Sequence, residues 1–225
     1  MAGSCVLFSG GLDSAVLLAL ERQAHAPVWP VHVRSGLAWE DQERRAIDRL
    51  LQSPAFATGV SPLTTLSVDM RDVYPATHWA VTGQPPAYDT PDEDVYLDGR
   101  NVVLLSKAAV FCARRDLSRI AMGSLAGNPF PDATPDFFHT MARALSLGLG
   151  HTIEVVTPLV ALHKDRVVKL GINLDVPMAL SMSCMNPSND EHCGVCSKCR
   201  ERQDAFRDAG VADPTTYATR WIRRT

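Results

Sequence analysis

Two groups of residues in this 225-residue chain have the types and spacing that do chemistry. Near the start, "SGGLDS" runs from Ser9 to Ser14. Gly10 and Gly11 allow positive φ and let backbone approach a ligand closely. Free amides at the start of a following helix would form an anion nest, favoured by the helix dipole. The hydroxyls of Ser9 and Ser14 can add hydrogen bonds to phosphate oxygens. Asp13 would repel phosphate directly, so its suitable task is to position magnesium or a bridging water. The P-loop fingerprint ends in Gly-Lys-Ser/Thr and the dinucleotide fingerprint has three spaced glycines; neither is present. The same six residues also suit a plain turn followed by a Ser or Asp helix cap. A strand before and a helix after favour phosphate.

At the other end stand Cys184, Cys193, Cys196 and Cys199, spaced C-x8-C-x2-C-x2-C. Thiolates two residues apart on a Gly-containing knuckle can share a metal, and Cys184 completes a tetrahedron. Four soft sulfurs suit a closed structural zinc site with no position left for a metal-bound water. A redox Cys-x-x-Cys couple and an iron–sulfur cluster are the competing readings. His192 could replace one ligand, although four cysteines are simpler. Cys5 and Cys112 read as packing residues.

These groups need a scaffold, and strand and helix patterns alternate along the chain. Strands are expected at "SCVLF", "PVWPVHV", "LTTLSVDM", "SRIAMGS" and "TIEVVTPLV", with Pro30 best placed near a strand end. Helices are expected after Ser14, at "WEDQERRAIDRLLQS", "RNVVLLSKAAVFCARRD", "PDFFHTMARALSL", "LHKDRVVKLGI" and "SKCRERQDAFRDAG". Residues 71–98 are Pro-rich and acidic and read as a long loop or lid. Helical crossovers between strands imply a doubly wound α/β parallel sheet, with ligands outside the carboxyl ends of its strands.

Bulk properties narrow the function. The formal net charge is −3 and the pI about 6.1, so there is no global basic footprint for nucleic acid. No run of about 18 apolar residues exists, and the first residues lack the marks of a signal peptide. A cytosolic location is expected, where cysteines point to metal or catalysis before disulfides.

"SGGLDS" resembles the pyrophosphate loop of the N-type ATP pyrophosphatases, which have the adenine-nucleotide α-hydrolase-like fold. Such enzymes cleave ATP between the α and β phosphates and adenylate a substrate. Together with the cysteines, the chain resembles the QueC family of 7-cyano-7-deazaguanine synthases over most of its length. Gly99-Arg100-Asn101, "MGSLAGNPFPD" ending at Asp132, and "TPLVALHKDRVVKLG" containing Lys164 match that family's segments. The resemblance implies a single ATP pyrophosphatase domain over 1–225, with a zinc-binding subregion at 181–212. It also implies magnesium with ATP, a homodimer, and ammonia as acceptor. The carboxylate of 7-carboxy-7-deazaguanine would be adenylated, converted to an amide and then to a nitrile.

By the same resemblance, Phe8, Ser9, Gly10, Gly11, Leu12, Asp13, Ser14, Val33 and Gly123 form the ATP site. Arg100, Asn101 and Asp132 are expected at the substrate, and Asp13, Arg100 and Lys164 are the catalytic candidates. Arg34 reads as a solvated surface charge, Asn101 could cap its helix, and Asp132 could cap the helix before Asp136. Trp79, Tyr88 and Tyr96 could stack on a base or anchor the 71–98 segment. The chain departs from the family at Pro131-Asp132-Ala133-Thr134, which lacks a Cys and an Arg, and at "VRSGLAWED". The departures leave room for a paralogue that joins the activated acid to another amine, for example on a protein. A tRNA-thiolating enzyme and a non-catalytic nucleotide-binding module are the remaining alternatives, both disfavoured.

Overall fold

The computed structural model describes residues 3–219. Five strands form one all-parallel sheet: β1 (Ser4–Leu7), β2 (Val28–Arg34), β3 (Thr64–Ser67), β4 (Arg119–Ala121) and β5 (Glu154–Val156), in the order β3-β2-β1-β4-β5. Helices α1 (Leu12–His25), α2 (Glu40–Leu51), α4 (Arg100–Arg114) and α5 (Pro135–Leu149) make the crossovers. The short α3 (Trp79–Thr82) precedes α4, and α6 (Lys164–Asn173) and α7 (Ser197–Ala209) follow the sheet.

β1 lies at the centre and is buried along its length, as a strand covered on both faces must be. Its side chains alternate between two cores. Val6 and Phe8 pack with residues of α1, α2, α6 and α7, while Cys5 and Leu7 pack with those of α4 and α5. Cys5 and Cys112 are both packing residues of the second of these cores, as expected.

Pro30 is a correction to the sequence reading. It sits inside β2, opposite Val6, rather than at a strand end. It is tolerated because β2 pairs with β3 only from Val31↔Thr64, after an isolated Val28↔Val60 bridge. Pro30 therefore falls in a gap in that ladder.

Residues 71–98 contain α3 and a 3-10 turn, Asp92–Val95. They bury Tyr74, Ala80, Val95 and Leu97 in a third cluster with Trp39, Met182 and the four cysteines. The strand order reverses between β1 and β4. The carboxyl ends of these two strands therefore flank the crevice where a doubly wound sheet holds its ligand.

Candidate active site and metal centre

A cavity of about 260 Å³ opens at that reversal. Phe8, Ser9, Gly11, Asp13, Ser14, Val33, Arg100, Asn101, Gly123 and Asp132 all line it. Of the expected ligand-contacting residues, Gly10, Leu12 and Lys164 lie outside this lining, each for a visible reason.

Gly10 has φ +75°, and a Cβ there would meet Ile47 Cγ1 at 2.9 Å and Glu43 O at 3.1 Å. Its glycine is required by the close approach of α2. Leu12 points inward and is 1% exposed, tying the first turn of α1 to the core. Ser14 Oγ donates to Gly11 O at 3.0 Å and lies 3.3 Å from Ser9 Oγ, which accepts from Gly11 N at 3.4 Å. The loop is thereby closed on itself with both hydroxyls on the cavity side.

Lys164 begins α6 and reaches under the loop. Its Nζ lies 2.9 Å from Asp13 Oδ2 and 2.6 Å from Glu201 Oε1. Lys198 meets the other Glu201 oxygen at 2.7 Å. Burial opposes the charge on Lys164, but the two carboxylates overcome that and push its pKa up. Burial likewise opposes the charge on Glu201, yet the two lysines hold its carboxyl well below the usual range. Asp13 Oδ1 is buried without a hydrogen-bond partner. That oxygen, with the Ser9 and Ser14 hydroxyls nearby, is a hard oxygen donor set suited to magnesium.

Arg100 enters the cavity from the first turn of α4, where the helix dipole disfavours a cation. Its Nε is buried and unpartnered, and it is the one Lys or Arg among the cavity-lining residues described. Asn101 and Asp132 are locked together. The Asn101 amide N–H donates to Asp132 Oδ2 at 2.9 Å, and Asn101 Nδ2 donates to Asp132 O at 2.9 Å. Asp132 thus caps α4 rather than the helix before Asp136, whose cap is Thr134. Burial raises the Asp132 carboxyl above its ordinary value.

Arg34 is exposed and pairs with Asp41 at 2.8 Å, away from the cavity. The aromatic candidates divide. Trp79 stacks on Trp39 with centroids 5.6 Å apart, and Tyr88 OH donates to Gln203 Oε1 at 2.9 Å, so both anchor the segment. Tyr96 lies 5.1 Å from Phe130, and that pair faces the cavity.

His32, Glu43 and Glu201 are among the charged or titratable residues that escaped the sequence reading. His32 stands in an apolar strand, which was its only signal. Glu43 and Glu201 lie within charged runs that resemble solvated helix faces. Burial, partly opposed by Arg100, raises the Glu43 carboxyl to about 7. The folded state therefore holds this proton more tightly than the unfolded chain. Its stabilising effect is full below pH 4.5 and is lost as pH rises through about 7. The shift corresponds to a loss on the order of 3 kcal/mol. Glu43→Gln should accordingly melt near the wild type at pH 5 and several degrees above it at pH 8. Thermal melts of ligand-free protein at the two pH values check this.

The four cysteine sulfurs lie within 4.8 Å of one another and all four residues are buried. Three of their separations are 4.0, 3.8 and 3.5 Å. A tetrahedron with Zn–S bonds of ~2.3 Å has edges of about 3.8 Å. Backbone N–H groups of Asn186, Cys193, Gly194 and Val195 donate to sulfurs at 3.3–3.4 Å, which stabilises thiolate charge. The cluster can hold one metal ion in a closed, all-sulfur site. His192 is no ligand: its Nε2 accepts from Ser183 N at 3.0 Å.

Residues 3–210 match the family described as queuosine biosynthesis protein QueC. The chain belongs to the QueC family. Among curated relatives, a 7-cyano-7-deazaguanine synthase of Methanopyrus kandleri is 35% identical, covering 96% of this chain and 99% of the relative. The synthase of Methanothrix thermoacetophila is 33% identical with the same coverage. Solved structures share the fold. The U34-tRNA thiolase NcsA of Methanococcus maripaludis, with its [4Fe-4S] cluster, aligns at TM-score 0.51 and 11% identity, over 92% of this chain and 67% of its own. A 4-thiouridine synthetase in complex with RNA and ATP aligns at TM-score 0.50 and 15% identity, over 93% and 50%. As in other QueC-family members, the chemistry is that of an enzyme. No helix among the described residues is long and apolar enough to cross a membrane.

Proposed function

We propose that this QueC-family chain is an ATP-dependent C–N ligase that adenylates the carboxylate of 7-carboxy-7-deazaguanine for attack by ammonia. The observation that carries this reading is the cavity itself. Its lining includes the closed glycine loop with the Ser9 and Ser14 hydroxyls, and Arg100 with a buried, unpaired Nε.

A carboxylate resists nucleophiles because its charge repels them and oxide is a poor leaving group. Ser9, Gly11 and Ser14, the loop residues on the cavity side besides Asp13, would bind the β and γ phosphates, leaving the α phosphate facing the acid. When bound, magnesium would neutralise phosphate charge, held through Asp13. Val33 and Gly123 offer backbone at two strand ends for the adenine. A Cβ at Gly123 would meet only Asp13 and Leu17 at 3.9 Å, so internal packing leaves room there for a ligand. Arg100 would hold the acid against the α phosphate and stabilise the charge that builds between them. Tyr96 and Phe130 present faces on which a flat bicyclic base can stack, and Asp132 offers acceptor capacity to its N–H groups. Catalysis is chiefly positioning and charge stabilisation, so no nucleophilic side chain is required. Zinc in the four-cysteine site would be structural.

A second reading follows from Ala133 and Thr134. Ala133 is buried, and the Thr134 hydroxyl is used to cap α5, so neither replaces the Cys and Arg of the family pattern. A wall altered there suits a QueC-like paralogue that delivers the activated acid to another amine, for example on a protein. Mass spectrometry of a reaction containing 7-carboxy-7-deazaguanine, magnesium–ATP and ammonium separates the readings. Nitrile with AMP and pyrophosphate is the expected result. AMP with amide alone, or product only when a protein amine is present, would favour the paralogue. No ATP cleavage with the acid would exclude both.

A further inference from the structure

Two buried groups of the cavity have no task in the adenylation step: His32 on β2 and Glu43 on α2. His32 is 3% exposed, and its Nδ1 lies 3.2 Å from the carbonyl oxygen of Phe8. A carbonyl can only accept, so Nδ1 carries the proton and Nε2 presents a bare lone pair. That Nε2 is buried and has no hydrogen-bond partner. Burial lowers the His32 pKa, which keeps the ring neutral.

Glu43 is 8% exposed and accepts a hydrogen bond from the Trp39 side chain. Arg100 from α4 and Glu40 from its own helix are the charges that act on it. An orphaned lone pair and a buried carboxylate in one cavity both repel the phosphates of ATP and the acid of the substrate. They match a small cation bearing several N–H donors.

Resting on the adenylation reading, we propose that His32 Nε2 and Glu43 form the ammonium site, accepting hydrogen bonds from NH4⁺ and then removing its protons. Glu43 takes one proton from NH4⁺, leaving NH3 with a free electron pair. Nitrogen attacks the carbonyl carbon of the acyl-adenylate. The new C–N bond forms as the C–O bond to AMP breaks, and AMP departs with that electron pair. The proton then shed by the nitrogen passes to His32 Nε2, and both residues return their protons to water. A carboxyl that titrates near neutrality is matched to such a transfer at neutral pH. The burial that tunes it is the same burial that destabilises its charged form in the empty protein.

The test uses Glu43→Gln and, as an independent probe, His32→Gln. Three quantities are measured: acid-dependent ATP–pyrophosphate exchange, and turnover with ammonium and with hydroxylamine, which is largely unprotonated at neutral pH. In Glu43→Gln, kcat/KM for ammonium should fall roughly 10²- to 10³-fold. Preference for hydroxylamine over ammonium should rise at least about ten-fold in both variants, with exchange falling far less than ammonium use. Equal losses for the two nucleophiles, or exchange falling in step with ammonium use, would overturn the ammonium site and make the pair structural. Wild-type protein with no exchange at all would instead remove the adenylation reading, and this one with it.

Discussion

Cys199→Ser is expected to abolish metal binding by the four-cysteine cluster and nearly all ATP-dependent activity in one step. Three remaining thiolates would be left buried around an incomplete tetrahedron. Free energies of about 10–16 kcal/mol for zinc in small four-ligand sites are as large as the ~5–15 kcal/mol that holds a typical domain folded. The effect should reach the cavity because the knuckle braces it. Cys199 lies in the first turn of α7, whose Glu201 holds Lys164 and whose Arg202 is wholly buried. Arg202 donates to Ser181 Oγ at 2.9 Å and to Met178 O at 2.8 Å. Just beyond, Met182 N donates to Gly10 O at 2.8 Å, which pins the glycine loop. The variant should retain less than about a tenth of the wild-type metal. Its melting temperature should fall by roughly 10 °C or more, and ATP cleavage by at least ~100-fold. Metal analysis, a melt and a pyrophosphate assay on one preparation decide it. Full zinc content with full activity would refute the bracing role.

Lys164→Met should give the second largest loss, and of a different kind. The lysine neutralises Asp13 and Glu201 together, and all three side chains are less than a third exposed. Removing it leaves the Asp13 and Glu201 carboxylates without the cation they share. Breaking a buried pair typically costs ~3–5 kcal/mol, and the partial exposure here brings the expectation to about 2–4 kcal/mol. Loss of the cation nearest the loop should also lower kcat/KM for ATP by about 10³-fold. Urea denaturation reads the first effect and steady-state kinetics the second. Adding Glu201→Gln to Lys164→Met should recover part of the stability and none of the activity. Recovery of both would make Lys164 a purely structural residue.

The parts of the site that were legible in sequence share a physical character. The glycine loop, the cysteine knuckle and the apolar strands are short-range signals. A turn requires glycine at one position, a metal requires thiolates a few residues apart, and a doubly covered strand requires a continuous apolar run. Each leaves its mark within a stretch of sixteen residues or fewer. Gly10 shows the limit of such signals. Its positive φ was readable, but the ceiling placed over it by Ile47 comes from another crossover.

Where the reading fell short, the missing information was rotational or long-range. Glu43 sits in "EDQERR" and Glu201 in "CRERQ", stretches whose composition matches a solvated helix face. Only the seating of α2 and α7 against the sheet turns these two carboxylates inward. Pro30 looked misplaced in a central strand until the gap in its ladder with β3 was visible. Asp132 was read as a substrate contact or as a cap for the helix nearest in sequence, whereas it caps α4 through Asn101 N, 31 residues earlier.

From the sequence alone, then, come the parallel α/β class, the closed glycine loop, the four-cysteine cluster and the QueC likeness. Local covalent spacing and local backbone demands dictate all of these. Tertiary structure alone decided which charges meet. Lys164 lies between Asp13 and Glu201, Arg100 Nε is left without a hydrogen-bond partner, and His32 and Glu43 are buried in one cavity. Those pairings depend on how crossover helices are turned and docked on the sheet. That is set by the packing of the whole core, not by any one stretch of residues.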